Sequence, residues 1–133
     1  MPVLPYGTWA SPIGADLVAS TQVGLAFPLL TESFAWWCEG RPTEGGRVAL
    51  VRRDVAGAGA VQEMGPPGFN LRTRVHEYGG RAYAVAGDAV VGCEMQSQRL
   101  HRLAPGEAVP ITPESGGRLR YADLVLDLPR RRV

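Results

Sequence analysis

The sequence contains no lysine; all 14 of its basic residues are arginine. That absence excludes a Schiff-base lysine, a lysine-activated nucleophile and the lysine of a phosphate-binding loop. A coding bias toward arginine accounts for it, and the exclusions hold regardless. Excess charge is also missing, since 13 acidic residues leave a net charge of only +1. The chain therefore lacks the basic stripe that nucleic-acid binders need, and the run Arg130-Arg131-Arg132 reads as a solvated turn. No basic residue precedes Arg41, so the N-terminus does not read as a secretory signal. The longest apolar run, residues 23–30, is far short of the roughly 20 residues that span a bilayer. There are only two cysteines, Cys38 and Cys93. They form no close pair that would chelate zinc and read as buried thiols rather than a disulfide. These absences point to a soluble, cytoplasmic chain with no cofactor, no metal, and neither nucleic acid nor membrane as a partner.

What the sequence does have is glycine and proline, 17 and 11 of its 133 residues. Its hydrophobic fraction of 45% is that of an ordinary globular protein, which excludes disorder throughout. Each interior glycine costs a helix about 1 kcal/mol and each proline about 3 kcal/mol. Short strands joined by tight turns fit this composition better than long helices.

The apolar residues fall in short bursts between turn residues. Phe34-Ala35-Trp36-Trp37-Cys38 and Val48-Ala49-Leu50-Val51 flank the loop at 40–46, and a further break around Gly57-Ala58-Gly59 reads as a hairpin turn. Downstream, Tyr83-Ala84-Val85-Ala86 and Ala89-Val90-Val91-Gly92-Cys93 flank Gly87-Asp88, a two-residue hairpin signal. Arg99-Leu100-His101-Arg102-Leu103 alternates as a half-buried strand does. The two stretches overlay, with Cys38 against Cys93 and Leu50 against Leu100. The overlay also sets 63–66 against Ile111-Thr112-Pro113. With a strand near 22–27 opening the first unit, each unit has four strands. A four-stranded unit recurring at about 40 to 50 residues is the period of a β-propeller blade.

The expected architecture is all-β. It is a partial β-propeller of two four-stranded antiparallel blades, at about 22–64 and 82–113, plus the first strand of a third at about 119–133. Leu128-Pro129-Arg130-Arg131 reads as that strand's hairpin turn, with Val133 opening its partner. Propellers typically have 4 to 8 blades, so the sequence is expected to be the truncated N-terminal part of a larger ring.

Four motifs occur in order: Tyr6-Gly7-Thr8-Trp9-Ala10-Ser11-Pro12-Ile13, then Glu39-Gly40-Arg41-Pro42-Thr43-Glu44-Gly45-Gly46-Arg47. Arg72-Thr73-Arg74-Val75-His76-Glu77-Tyr78-Gly79-Gly80 and Arg120-Tyr121-Ala122-Asp123 follow. With these, the chain resembles the N-terminal β-propeller of serine peptidases of the prolyl oligopeptidase family, bacterial dipeptidyl aminopeptidase/acylaminoacyl-peptidase type. The resemblance implies a C-terminal α/β-hydrolase domain with a Ser-Asp-His triad, beyond residue 133 and absent here. It also implies a ring that filters peptides by size. Where members of the family often have Asp-Gln-Arg, this chain has Ser97-Gln98-Arg99. If that Asp caps a turn or pairs with an Arg, Ser97 weakens the local contact.

No catalytic residues are assigned, because no Gly-x-Ser-x-Gly elbow occurs and no nucleophile, base and orienter assemble from the sequence. His76-Glu77 superficially matches a zinc-protease helix motif, but the second ligand position is Gly80. Gly79 and Gly80 are read as allowing close backbone approach before the strand at Tyr83, with Glu77 accepting bonds from Arg72 or Arg74. The functional candidates are Arg74, His76 and Glu77, facing the channel or a domain interface. There a carboxylate such as Glu77 would meet a substrate's α-amine, by analogy with related aminopeptidases. Trp36 and Trp37 fall on opposite faces of one strand, and Arg41 and Arg47, with Glu44 between, form a salt-bridged loop.

Two partners are expected: a peptide substrate through the missing hydrolase domain, and the chain itself through open strand edges. The alternative to a peptidase propeller is a stand-alone or self-assembling binding module without enzymatic activity. A degraded gene product with no function of its own is the third reading.

Overall fold

The computed structural model describes residues 5–8, 13–14, 22–57 and 59–133. Trp9, Ala10, Ser11 and Pro12 of the first motif, and Ala58, lie outside the described residues. The described strands form two four-stranded antiparallel sheets, each in simple sequential order. The first holds β1 (Gly24–Leu30), β2 (Phe34–Arg41), β3 (Arg47–Asp54) and β4 (Gln62–Met64). The second holds β5 (Tyr83–Ala86), β6 (Ala89–Cys93), β7 (Leu100–Ala104) and β8 (Glu107–Pro110). This is the two-blade meander that the repeat predicts. The helical content described is two three-residue 3-10 turns, Pro42–Glu44 and Val75–Glu77. Among the described residues no helix is long and apolar enough to cross a membrane.

The core lies between the blades. Trp36, Cys38, Leu50 and Met64 of the first sheet are buried with Leu71, Tyr83, Val90 and Leu103 in one cluster. Alternation along β2 sends Trp36 into this core, while Trp37 projects from the opposite face and donates to Glu39 at 3.1 Å. In β1, Phe27 takes a positive φ of 52° and Pro28 supplies no N–H, so the register with β2 shifts between Ala26 and Leu29. The carbonyl thus freed, that of Phe27, accepts the Tyr83 hydroxyl at 2.6 Å and joins the first strands of both blades. At the outer edge Gly65 N donates to the Ala104 carbonyl, and Gly106 N to the Gly65 carbonyl.

Register makes the two blades comparable residue by residue. Cys38 pairs with Leu50 and Trp37 with Val51. Cys93 pairs with Leu100 and Gly92 with His101. Trp37 and Gly92 therefore hold the same site in two copies of one frame. In the second blade that site is full: a Cβ on Gly92 would come within 2.3 Å of Leu71 Cδ1 and 2.8 Å of Leu103 Cδ1.

Three details differ from the sequence pattern. The fourth strand of the second blade is Glu107–Pro110, ahead of the Ile111-Thr112-Pro113 match. Pro105 and Gly106, the latter at a φ of 76°, turn the chain so tightly that Ala104 already faces Glu107. Residues 119–127 carry no ladder of their own. They run against the second blade, with Asp123 N donating to the Arg81 carbonyl and Leu124 buried. A strand needs a neighbour that shares its backbone bonds, and among the described residues none continues that pairing. The turn at 128–131 is present, closed by a bridge between Asp127 and Arg132 rather than at Val133.

Alternation places Glu39, Arg41, Arg47 and Glu63 on the face of the first blade turned away from the second. The expected Arg41–Glu44–Arg47 loop pairs are present and are widened by two carboxylates. Arg41 reaches Glu63 at 2.6 Å and Glu39 at 2.9 Å, and Arg47 bonds Glu63, Glu44 and the Phe69 carbonyl.

Candidate functional site

The three candidate residues lie on the connection between blades, residues 65–82, which carries the chain from the last strand of one sheet to the first of the next. Its backbone is tied to both neighbours: Leu71 N donates to Val48 O, Arg72 N to Cys93 O, and Met95 N to Asn70 O. The principal fastener is Gln98, only 1% exposed and at a φ of 56°. Its side-chain oxygen accepts Arg74 N at 2.8 Å, and its amide nitrogen donates to Met95 O at 2.7 Å and Arg72 O at 3.3 Å. Glu94 caps the same turn, accepting from Gln96 N and Ser97 N. Burial raises the pKa of Glu94, but the bonds from Gln96 and Ser97 outweigh it and hold the carboxyl below its ordinary value. Ser97 still serves the turn, donating its hydroxyl to Glu94 at 2.8 Å, a bond an ionised Asp would not make.

Beyond Arg74 the chain makes a strained 3-10 turn. His76 and Glu77 both take positive φ, 52° and 62°, a conformation that side-chain-bearing residues adopt rarely and at a cost. The turn leaves His76 and Glu77 exposed and carries Tyr78 at 96% exposure. Gly79 follows at a φ of 84°, where a Cβ would sit 3.0 Å from the Thr73 carbonyl; at Gly80 one would sit 3.1 Å from Ala122. Both glycines thus permit the close approach expected of them.

Glu77 is not bound by Arg72 or Arg74. Its partner is Arg120, which bonds the Glu77 carboxylate and also donates to the Arg74 carbonyl at 2.7 Å. The strained turn aims Glu77 at the segment after the second blade, a pairing that sequence proximity cannot reveal. The Arg120 hydrogen bond, then its charge and that of Arg74, hold the Glu77 carboxyl below its ordinary value despite slight desolvation. A carboxylate already matched by Arg120 is a weak attractor for an α-amine. The structure thus brings Arg74 and Glu77 together through Arg120, with His76 beside them and no partner of its own among the described residues.

Beside this turn, between β1 and residues 71–82, lies a cavity of about 310 Å3. Leu25, Phe27, Val48 and Leu71 make its wall mostly apolar, and Arg72 and Tyr78 stand with them in the lining. Cys38 also borders it, but burial pushes that thiol up to about 12, and burial pushes Cys93 up to about 11. Both cysteines are free and buried. The pattern that would have disclosed this cavity is the apolar Leu25 and Phe27 on a first strand that, among the described residues, has no neighbour on one side.

No hydrolytic constellation forms among the described residues. His101 packs edge-on against Phe69 at 5.5 Å, and its Nδ1 lies against the Arg99 carbonyl. Burial holds its pKa below the usual histidine value. Among the described residues neither histidine bonds a hydroxyl or a thiol, and no group of three or more His, Cys, Asp or Glu is placed to hold a metal ion.

Neither a family model nor a curated protein matches the sequence. Solved structures do. The chain is similar to a puromycin-hydrolysing peptidase of Mycobacterium tuberculosis, at 39% identity and a TM-score of 0.80 over 97% of this chain. It is also similar to a puromycin hydrolase, at 40% identity and a TM-score of 0.74 over 98% of the chain. A variant of puromycin hydrolase complexed with PGG matches at 40% identity and a TM-score of 0.73. The chain spans 20% and 21% of the length of the first two.

Proposed function

We propose that this chain, which resembles the N-terminal propeller region of serine peptidases of the prolyl oligopeptidase family, is the non-catalytic propeller portion of such an exopeptidase. In this reading it restricts access of peptides to a hydrolase domain that carries the triad. The likeness of nearly the whole chain to a fifth of a puromycin-hydrolysing peptidase carries the reading. The lack of any nucleophile–base pair among the described residues is compatible with it. The free, buried thiols suit the reducing cytoplasm. Arg74, His76 and Glu77, on the turn that leads from the last strand of one blade to the first of the next, are read as facing the channel or the second domain.

Two measurements test this. The chain alone should not hydrolyse puromycin or aminoacyl anilides above the buffer rate; turnover by the purified chain would overturn the division of labour. In the peptidase that carries it, His76→Ala with Glu77→Ala is expected to raise kcat/KM severalfold for long peptides relative to short ones. An unchanged ratio would remove these residues from the gate.

A further inference from the structure

We propose that Met95 is a modification site, at which a peroxide converts the thioether to a single sulfoxide epimer and so loosens a link between the two blades. The proposal goes beyond the peptidase reading and does not depend on it.

The link is one amide. Asn70, on the connection between blades, accepts the Val48 N–H of β3 at its Oδ1, at 3.0 Å. Its Nδ2 donates to the Met95 sulfur at 3.2 Å. Its backbone carbonyl accepts Met95 N at 2.9 Å, and the Met95 carbonyl accepts the Gln98 amide. Asn70 thus joins the first blade to the turn between β6 and β7, with the sulfur as the acceptor at one end. A leucine at position 95 would fill similar space but leave the Asn70 amide without that acceptor. Of the three methionines, Met1 lies outside the described residues and Met64 is only 3% exposed. Met95 is half-buried, so it is the described methionine that a small oxidant meets first.

A thioether sulfur carries two lone pairs, and the two sulfoxide epimers differ in which of them takes the oxygen. The Asn70 N–H occupies one pair. The other attacks the peroxide oxygen, so that an S–O bond forms as the O–O bond breaks. The sulfur is oxidised by two electrons, and the departing hydroxide takes the proton of the transferred oxygen and leaves as water. The oxygen therefore enters on the side away from Asn70. It draws electron density from the sulfur, whose remaining lone pair becomes a poor acceptor for the Asn70 amide. The bond at that end of the bridge is lost, while those to Val48 and from Gln98 remain. Methionine sulfoxide reductases reverse the change, one enzyme for each epimer.

The test is limited oxidation of the folded chain with hydrogen peroxide, followed by digestion and mass spectrometry of the fragments. Met95 is expected to be oxidised while Met64 stays reduced. The fragments are then treated with two reductases, each specific for one epimer. One should restore nearly all of the Met95 sulfoxide and the other almost none. The reference is the chain oxidised while unfolded in urea, where the Asn70 contact is gone and each reductase should restore about half. The oxidised folded chain should melt about 3–6 °C below the untreated chain. Met95→Leu should melt at one temperature with and without peroxide. Equal amounts of the two epimers from the folded chain would overturn the proposal. So would oxidation of Met64 ahead of Met95, or a melting temperature unmoved by the sulfoxide. None of these readings depends on peptide hydrolysis, so the modification site and the peptidase role stand or fall separately.

Discussion

Gln98 shows how much of a site can hang on one buried amide. It holds Arg72, Arg74 and Met95 by their backbones, and thereby sets the start of the turn that carries His76, Glu77 and Tyr78. Removing the amide leaves buried backbone groups unsatisfied, at about 1–3 kcal/mol each. Gln98 also sits at positive φ, where any Cβ is disfavoured by about 1–2 kcal/mol. Gln98→Ala is therefore expected to lower unfolding stability by about 2–3 kcal/mol, while Gln98→Gly, with the same bonds lost and the strain relieved, should lose about 1 kcal/mol less. Urea unfolding of both variants checks the pair, and equal losses would mean that the backbone there is unstrained. The sequence singles out position 97 beside it as unusual, whereas the buried neighbour at 98 does the fastening. A glutamine next to a turn looks solvated in sequence, and only the return of the chain from 72–74 shows what its amide faces.

At the scale of the element, the outer face of β2, β3 and β4 is held by charge. Glu63 sits between Arg41 and Arg47. Burial raises the pKa of its carboxyl, but hydrogen bonds from Arg47 and Arg41 outweigh burial and hold it below the ordinary value. A carboxyl depressed in the folded state contributes stability above its unfolded pKa and loses it as pH falls through the folded one. Glu63→Gln is therefore expected to cost about 1 kcal/mol at pH 7. The gap to wild type should close as the pH falls through the lowered folded-state pKa of Glu63, below the ordinary glutamate range. Thermal unfolding across that range reads it, and a gap that widens in acid would reverse the assignment. Local spacing is enough to anticipate Arg41, Glu44 and Arg47, which lie on one turn. Glu63 enters only because β4 folds back beside β3. The same limit explains Glu77, whose partner Arg120 lies in a segment whose position follows from the packing of the second blade. Strands themselves are legible because hydrophobic alternation and Gly-Pro punctuation are local, whereas the cavity is made by three strands and a loop from separate parts of the chain.

For the molecule as a whole, the unevenly covered surfaces matter most. Among the described residues β1 pairs only with β2, and its Leu25 and Leu30 are 71% and 72% exposed. An apolar hollow of about 560 Å3 runs along it past Pro28, Leu29 and Trp37. Exposed strand edges with apolar side chains invite pairing. The chain studied alone is expected to associate as its concentration rises, and Leu30→Lys to shift it toward the monomer in sedimentation experiments. A wild-type chain that stays monomeric at high concentration would show that this edge is inert. The blades that share this strand plan are nevertheless unlike where they meet their neighbours. A ring of identical units could gain, lose or reorder members freely. With Trp37 and Gly92 occupying one site of the common frame, that freedom is gone: bulk stands where the other blade has a hollow filled by Leu71 and Leu103. Side chains packed as Leu71 and Leu103 are on Gly92 would collide with Trp37 on the first blade, so the two blades are not interchangeable.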